Sequence, residues 1–154
     1  MLLNFGDWRA KKYIMGKYIV CDTALENQGK TKTLLKVIEK LKVIVTPNIE
    51  RLINDEDKYA SFLINGKRIV IVTIGDPISE FSLEIDLAIE EKADIIVCAS
   101  RTRGTTFTEI NDKTKNGYEI IRFSNFFAVA NGRSYEPRLH NVSAEAIVKL
   151  IQIL

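Results

Sequence analysis

Gly29, Lys30 and Thr31 are the residues of this chain whose types and spacing best suit phosphate chemistry. The triplet stands between an apolar run at 18–21, which predicts a strand, and an amphipathic run at 32–41, which predicts a helix. Gly29 would let the backbone approach a phosphate, and Lys30 would neutralise its charge. The Thr31 hydroxyl would reach a magnesium ion, and the helix start supplies unpaired N–H groups. The arrangement predicts a site for a nucleoside triphosphate.

The residues around this triplet complete the predicted cradle but depart from the usual pattern at one position. Asn27 and Gln28 in the loop, with Lys32 in the first helical turn, would add backbone amides around the phosphates. The pattern Gly-x-x-x-x-Gly-Lys-[Ser/Thr] has glycine where this chain has Ala24, and a Cβ disfavours angles that glycine permits. The alternative is that Lys30 belongs to a solvated first turn of a helix.

Asp76 is the second candidate, because it follows the strongly apolar run 68–74 at its carboxyl end. In α/β sheets, ligands bind beyond the carboxyl ends of the strands. A carboxylate there, beside a phosphate loop, can hold Mg²⁺ directly or through water, and Thr31 would be its partner ligand. The alternative is a plain turn, since Gly75, Asp76 and Pro77 are all turn-forming residues.

Arg101 and Arg103 are the third candidates and lie in a loop of hydroxyl residues and one glycine, 99–106. This loop also leaves the carboxyl end of an apolar run, so it shares the predicted rim. Guanidinium groups match phosphate oxygens, so the pair could contact a γ-phosphate, or a phosphorylated or nucleic-acid substrate. The alternative is a solvated basic loop.

Other polar residues are weaker candidates. Asp22 and Glu26 could orient an attacking water molecule, or could be exposed loop carboxylates. Arg133 and Arg138 could cover a base or a phosphate, although composition alone supports that role. His140, the single histidine, is expected to be structural or on the surface.

Composition indicates one ordinary domain over residues 1–154. The chain is 46% hydrophobic and 27% charged, which is enough to bury a core, and its net charge of +2 does not by itself indicate a nucleic-acid or membrane partner. Cys21 and Cys98 lie in apolar runs and are expected to be buried thiols rather than a disulfide or a metal site. The sequence shows neither a secretory signal nor a membrane span, which predicts a cytoplasmic protein.

Hydrophobic patterning places strands and helices along the chain. Strands are predicted at 17–21, 42–46, 59–64, 67–74, 93–100 and 118–123, with 126–130 as a continuation or a further strand. Helices are predicted at 31–41, at 79–92 and from Ser143 as cap to the end, with weaker signals at 7–13, 49–57 and 109–115. The pair Asn65-Gly66 favours a tight type I′ hairpin. This alternation predicts an α/β fold, a three-layer sandwich with a mainly parallel central sheet and an antiparallel hairpin at its edge.

The chain resembles the P-loop NTPase superfamily, with no subfamily identified. The resemblance rests on Gly29-Lys30-Thr31 as a degenerate Walker A motif and on 69–76 as a Walker B-like strand. It implies that Lys30 contacts the β- and γ-phosphates, and that Thr31 and Asp76 hold Mg²⁺. The hairpin also resembles that of small GTPases. The guanine-reading Asn-Lys-x-Asp motif is missing, however, because 100–103 reads Ser-Arg-Thr-Arg, so ATP is the default nucleotide.

Three hypotheses follow for function. The first is a compact ATP-binding protein with Mg²⁺-dependent NTPase or phosphotransferase activity, in which Lys30, Asp76, Arg101 and Arg103 act on the reacting phosphates. The second is a nucleotide-responsive or nucleic-acid-associated binding module that does not turn over, which Ala24 favours. The third is an α/β domain with no nucleotide. A protein or nucleic-acid partner and an oligomer are compatible with each.

Overall fold

The computed structural model describes residues 16–24, 29–126 and 136–154. The strands are β1 (Lys17–Thr23), β2 (Ile49–Leu52), β3 (Lys58–Ile64), β4 (Lys67–Val72), β5 (Ile95–Ser100) and β6 (Tyr118–Phe123). The helices are α1 (Lys30–Ile44), α2 (Ile78–Glu90), α3 (Thr105–Asp112), which runs into a 3₁₀ turn at Lys113–Asn116, and α4 (Glu136–Ile153). The α/β prediction is confirmed.

The six strands form one mixed sheet in the order β2-β3-β4-β5-β1-β6. Strands β4, β5, β1 and β6 run parallel, whereas β3 is antiparallel to both of its neighbours. The β3–β4 hairpin turns at Asn65 and Gly66, whose φ angles of 52° and 78° are those of the predicted turn. The sheet and its hairpin are therefore observed, but the sheet is mixed, and β2 rather than the hairpin forms the edge next to β3.

Helices cover both faces of the sheet. Alternate residues of β1 enter different apolar clusters, as the two-residue period of a strand requires. Val20 joins the cluster that α1 and α4 complete, while Ile19 joins the cluster that α2 completes. The central strand β5 is buried along its whole length, which explains its nearly continuous apolar sequence.

Two predictions between α1 and β3 are wrong. The predicted strand 42–46 is instead the last turn of α1 and its cap, and Val43 there is 87% exposed. None of the described strands pairs with its β-favouring residues, so the helix continues and satisfies the backbone. The predicted helix at 49–57 is instead the strand β2 at 49–52 followed by an irregular segment at 53–57, and the charged residues of β2 suit the edge strand of the sheet.

At the other end of the chain, the predicted cap at Ser143 is also wrong. Helix α4 begins seven residues earlier, at Glu136, and Ser143 is buried inside it. Its hydroxyl accepts a hydrogen bond from the backbone N–H of Phe126 at 2.8 Å instead of capping a helix. The polar stretch 109–115 is helical, in α3 and the turn that follows it. The weaker signals at 7–13 and nearly all of 126–130 lie outside the described residues.

Candidate functional site

The candidate site lies at the edge of the sheet where the four parallel strands end. Strand β5 separates β1 from β4, so the rim presents Thr73 after β4, then Ser100 at the end of β5, then Thr23 at the end of β1. Thr23 and Ser100 are register partners, and the N–H of Ala24 donates to the Ser100 carbonyl at 3.2 Å. The first turn of α1 lies over these three strand ends.

Gly29 forms the N-cap of α1 in the left-handed region, with φ 79° and ψ 21°. As a glycine, the N-cap residue has no side chain to offer to the N–H groups of the first turn. A Cβ at position 29 would be strained by the backbone angle and would also lie 2.1 Å from Nε2 of His140. Position 29 therefore requires glycine both for its backbone angle and for the space that His140 occupies.

The Lys30 side chain lies across two strand ends. Its Nζ donates to the carbonyl of Ala24 at 2.7 Å and to the carbonyl of Ser100 at 3.3 Å. Within the described part of the chain, it forms no ion pair with a carboxylate. Burial lowers the pKa of Lys30, while the nearby Asp22 acts in the opposite direction. Among the described residues, the ammonium is thus a half-buried positive charge that contacts neutral carbonyl oxygens.

Thr31 and Asp76 were predicted to share a magnesium ion, and the structure gives each its own contact. Thr31 Oγ1 donates to the Thr73 carbonyl at 3.4 Å, which leaves its oxygen lone pairs available. Asp76 Oδ2 accepts from Nη2 of Arg101 at 3.0 Å, in an exposed ion pair. The described hydrogen bonds include none between Thr31 and Asp76.

The donor set is compatible with magnesium but does not form a complete site. In the described ranges, no group of three or more histidine, cysteine or acidic side chains could hold a metal. A threonine hydroxyl and one carboxylate are hard oxygen donors of the type that Mg²⁺ takes, and Mg²⁺ commonly completes its shell with waters and substrate phosphates. Thr31 and Asp76 therefore fit such an ion only when a phosphate ligand accompanies it.

The two predicted arginines have different environments. Arg101 pairs with Asp76 on the rim, and its backbone N–H donates to Thr106 at 3.3 Å. Arg103 is exposed in the turn before α3 and makes no hydrogen bond or ion pair with any described residue. The structure thus brings Arg101, but not Arg103, into contact with another predicted site residue.

The remaining predicted residues contribute less to the described geometry. The Lys32 side chain is exposed, and its backbone amide belongs to the first turn of α1. Glu26, Asn27, Gln28 and Arg133 lie outside the described residues. Arg138, in the first turns of α4, is exposed.

Asp22 is not an exposed loop residue, because it is fully buried. Its Oδ1 accepts the N–H of Asn125 at 3.0 Å, and its Oδ2 has no hydrogen-bond partner in the described ranges. Burial raises the pKa of Asp22 to about 7, and the positive charge of Lys30 opposes that rise. The carboxyl can therefore hold or release a proton near neutral pH, beside the predicted phosphate-binding lysine.

Arg122 is a rim residue that the sequence reasoning missed. Its Nη1 donates to Thr23 Oγ1 at 2.7 Å and to Ser100 Oγ at 3.1 Å, and its guanidinium lies 4.0 Å from the centre of the Phe107 ring. Its Nη2 donates to Asn111 Oδ1 at 2.9 Å, which ties β6 to α3. The available signal was a lone arginine inside the otherwise apolar end of β6.

Cys21 and Cys98 are buried free thiols, as the sequence predicted. They are register partners on β1 and β5, and a hydrogen bond between them lowers the pKa of Cys21 and raises that of Cys98. Arg122 Nη1 lies 3.7 Å from the Cys21 sulfur and favours the same proton position. The pair lies in the interior, on the face opposite α1.

No known protein family, curated protein or solved structure matches this chain. Across the described ranges, no helix is long and apolar enough to span a bilayer.

Proposed function

We propose that this chain binds a nucleoside triphosphate, with ATP as the default, and that it is a P-loop NTPase-like three-layer sandwich with Mg²⁺-dependent NTPase or phosphotransferase activity. One observation carries the proposal. The Lys30 ammonium contacts two neutral carbonyl oxygens and no carboxylate among the described residues, beside a helix start whose N-cap glycine has no capping side chain. A half-buried cation in that position is best satisfied by an anion.

Phosphate binding would use groups that already converge on the rim. The first-turn amides of α1 donate to phosphate oxygens, and the positive end of the helix dipole adds to their attraction. Lys30 exchanges its bonds to the Ala24 and Ser100 carbonyls for bonds to the β- and γ-phosphates. This exchange replaces two neutral acceptors by charged ones, which form stronger hydrogen bonds with an ammonium group.

The remaining groups suit the charge that develops on a transferring phosphoryl group. Arg101 would leave its exposed pair with Asp76 and donate to the γ-phosphate, while Asp76 and Thr31 would turn their oxygens toward the metal. Bound Mg²⁺ would neutralise phosphate charge during transfer. An exposed ion pair is weak, on the order of 1 kcal/mol or less, so it does not prevent this rearrangement.

A binding module that does not turn over is the second candidate, and the Asp76–Arg101 pair favours it. That pair engages both groups that the first candidate assigns to the metal and the γ-phosphate. If the pair persists when nucleotide is bound, phosphate is held by Lys30 and the helix start alone. Nucleotide then binds without phosphate release.

Titration calorimetry tests the proposal by measuring the affinity for ATP in the presence of Mg²⁺. The proteins compared are the wild type, Lys30→Ala and Lys36→Ala. Lys36 lies on the same helix and makes no hydrogen bond or ion pair with any described residue. Lys36→Ala therefore removes the same charge as Lys30→Ala without breaking such a contact. We expect Lys30→Ala to weaken binding about 10- to 100-fold, the loss of one charge-assisted contact, and Lys36→Ala to bind like the wild type.

A phosphate-release assay on the same proteins separates the two candidates. Release by the wild type and its loss in Lys30→Ala support the enzyme, whereas tight binding without release supports the module. Absence of ATP binding by the wild type, or equal binding by Lys30→Ala, would refute nucleotide binding at this site.

A further inference from the structure

His140 of α4 lies directly against the start of α1. It is 2% exposed, and a Cβ built on Gly29 would meet three atoms of its ring, with Nε2 at 2.1 Å, Cδ2 at 2.9 Å and Cε1 at 3.0 Å. The imidazole edge therefore occupies the space that a side chain at position 29 would need. Sequence reasoning had assigned this histidine a structural or surface role.

The helix that carries His140 is linked to β1 indirectly, through residues 125 and 126 that follow β6. Asn125 N–H donates to the Asp22 carboxyl at 3.0 Å, and the next residue, Phe126, donates its N–H to Ser143 Oγ at 2.8 Å. Ser143 lies one helical turn beyond His140 on α4. Helix α4 is thus connected to the end of β1 through these two hydrogen bonds, in addition to the contact of His140 with the start of α1.

Apolar packing holds the same helix against α1. Ala144, Ile147 and Ile151 of α4 belong to the buried cluster that contains Leu34, Val37, Ile38 and Leu41 of α1. Two helices that share a close-packed core shift little relative to one another. The contact between His140 and Gly29 is therefore a fixed feature of the α1–α4 interface.

We infer that His140 is a positioning residue for phosphate binding: its ring holds Gly29 in the left-handed conformation that points the first-turn amides of α1 toward the phosphates. The inference rests on the proposed function. Gly29 has no side chain to restrict it, and glycine visits many backbone conformations. The ring blocks those that would move the Gly29 backbone toward α4, so the amides are ordered before the ligand arrives. Binding then costs less conformational entropy.

The test measures ATP affinity in the presence of Mg²⁺ and urea unfolding for the wild type, His140→Ala, His140→Gln, Gly29→Ala and the double variant Gly29→Ala/His140→Ala. We expect His140→Ala to bind ATP about tenfold more weakly, because the Gly29 backbone becomes free to move. His140→Gln should recover most of that affinity, since its amide can fill the space beside Gly29. Val142→Ala is the matched control, because Val142 is on the same helix and 49% exposed.

The double variant tests the contact itself. Gly29→Ala should bind ATP most weakly, and adding His140→Ala should restore part of the affinity because it removes the ring that the new methyl group meets. Affinities are compared only in conditions where urea unfolding shows each protein fully folded. A purely structural histidine would lower stability without changing the affinity of the folded protein.

The outcomes distinguish this inference from the proposed function. If the wild type binds ATP and His140→Ala binds it equally well, His140 has no positioning role, while nucleotide binding stands. Independent effects of the two substitutions on affinity would also overturn the inference. If the wild type does not bind ATP, both proposals fail together.

Discussion

The buried carboxyl of Asp22 gives a stability prediction that requires no ligand. The residue is fully buried, keeps one hydrogen bond from Asn125, and has a second oxygen without a partner among the described residues. Burial disfavours its charged form and raises its pKa from 3.8 to about 7. The substitution Asp22→Asn keeps the shape and the acceptor oxygen, and it removes the ionisation.

The sign and size of the effect follow from proton linkage. Between the pKa of the unfolded chain, 3.8, and that of the folded protein, about 7, the folded state binds a proton that the unfolded state has released. The contribution of Asp22 to the free energy of unfolding is therefore highest below pH 4, and it falls as the pH rises toward 7. The full loss of folding stability from this ionisation is on the order of 4 kcal/mol, and roughly 3 kcal/mol of it occurs above pH 5.

The assay is urea unfolding of the wild type and of Asp22→Asn at several values between pH 5 and 8. We expect the free energy of unfolding of the wild type to fall with pH relative to the variant, and the variant to be more stable at pH 8. Asp112→Asn is the control, because Asp112 is exposed and forms no side-chain hydrogen bond or ion pair with a described residue. Equal pH dependence in the wild type and Asp22→Asn would refute a neutral buried carboxyl.

Two further predictions concern the β2–β4 edge of the sheet and use the same unfolding measurement. The Arg51 guanidinium contacts both oxygens of the Glu84 carboxylate, whose side chain is only 6% exposed. Arg51→Ala leaves that carboxylate without its partner, so we expect the free energy of unfolding to fall by about 2 kcal/mol. A change below about 0.5 kcal/mol would mean that water replaces the arginine. Gly66→Ala should lower the free energy of unfolding by about 1 kcal/mol, because φ at Gly66 is 78°, in the left-handed region. Gly75 lies outside the left-handed region, so Gly75→Ala should be nearly neutral. Equal costs at the two glycines would contradict the turn conformation.

Local patterns were sufficient where a segment's own residues dictate its structure. The run 118–123 is a strand with the predicted bounds, and Asn65-Gly66 forms the predicted turn, because these signals depend on neighbouring residues only. The run 42–46 was mispredicted for the opposite reason. Its valines and isoleucine favour a strand, but only a partner strand could satisfy such a backbone, and none of the strands that the structure describes pairs with it.

At the candidate site too, local sequence predicted some features and only the tertiary structure revealed others. Sequence order alone predicted that Gly29, Lys30 and Thr31 would open a helix after a strand, and that 76 and 101 would follow neighbouring apolar runs. It could not predict that Lys30 contacts the end of β5 or that Arg101 pairs with Asp76. Those contacts depend on the order of strands in the sheet, which places β5 between β1 and β4.

The sequence by itself determined the type of fold, the glycine at the start of α1 and the charge beside it, because each follows from spacing within a few residues. Only the tertiary structure decided that Asp22 is buried and that His140 lies against Gly29. Asp22 meets Asn125 across 103 positions of the chain, and His140 reaches Gly29 from the last helix. Burial and charge environment arise from such distant contacts, which no local pattern records.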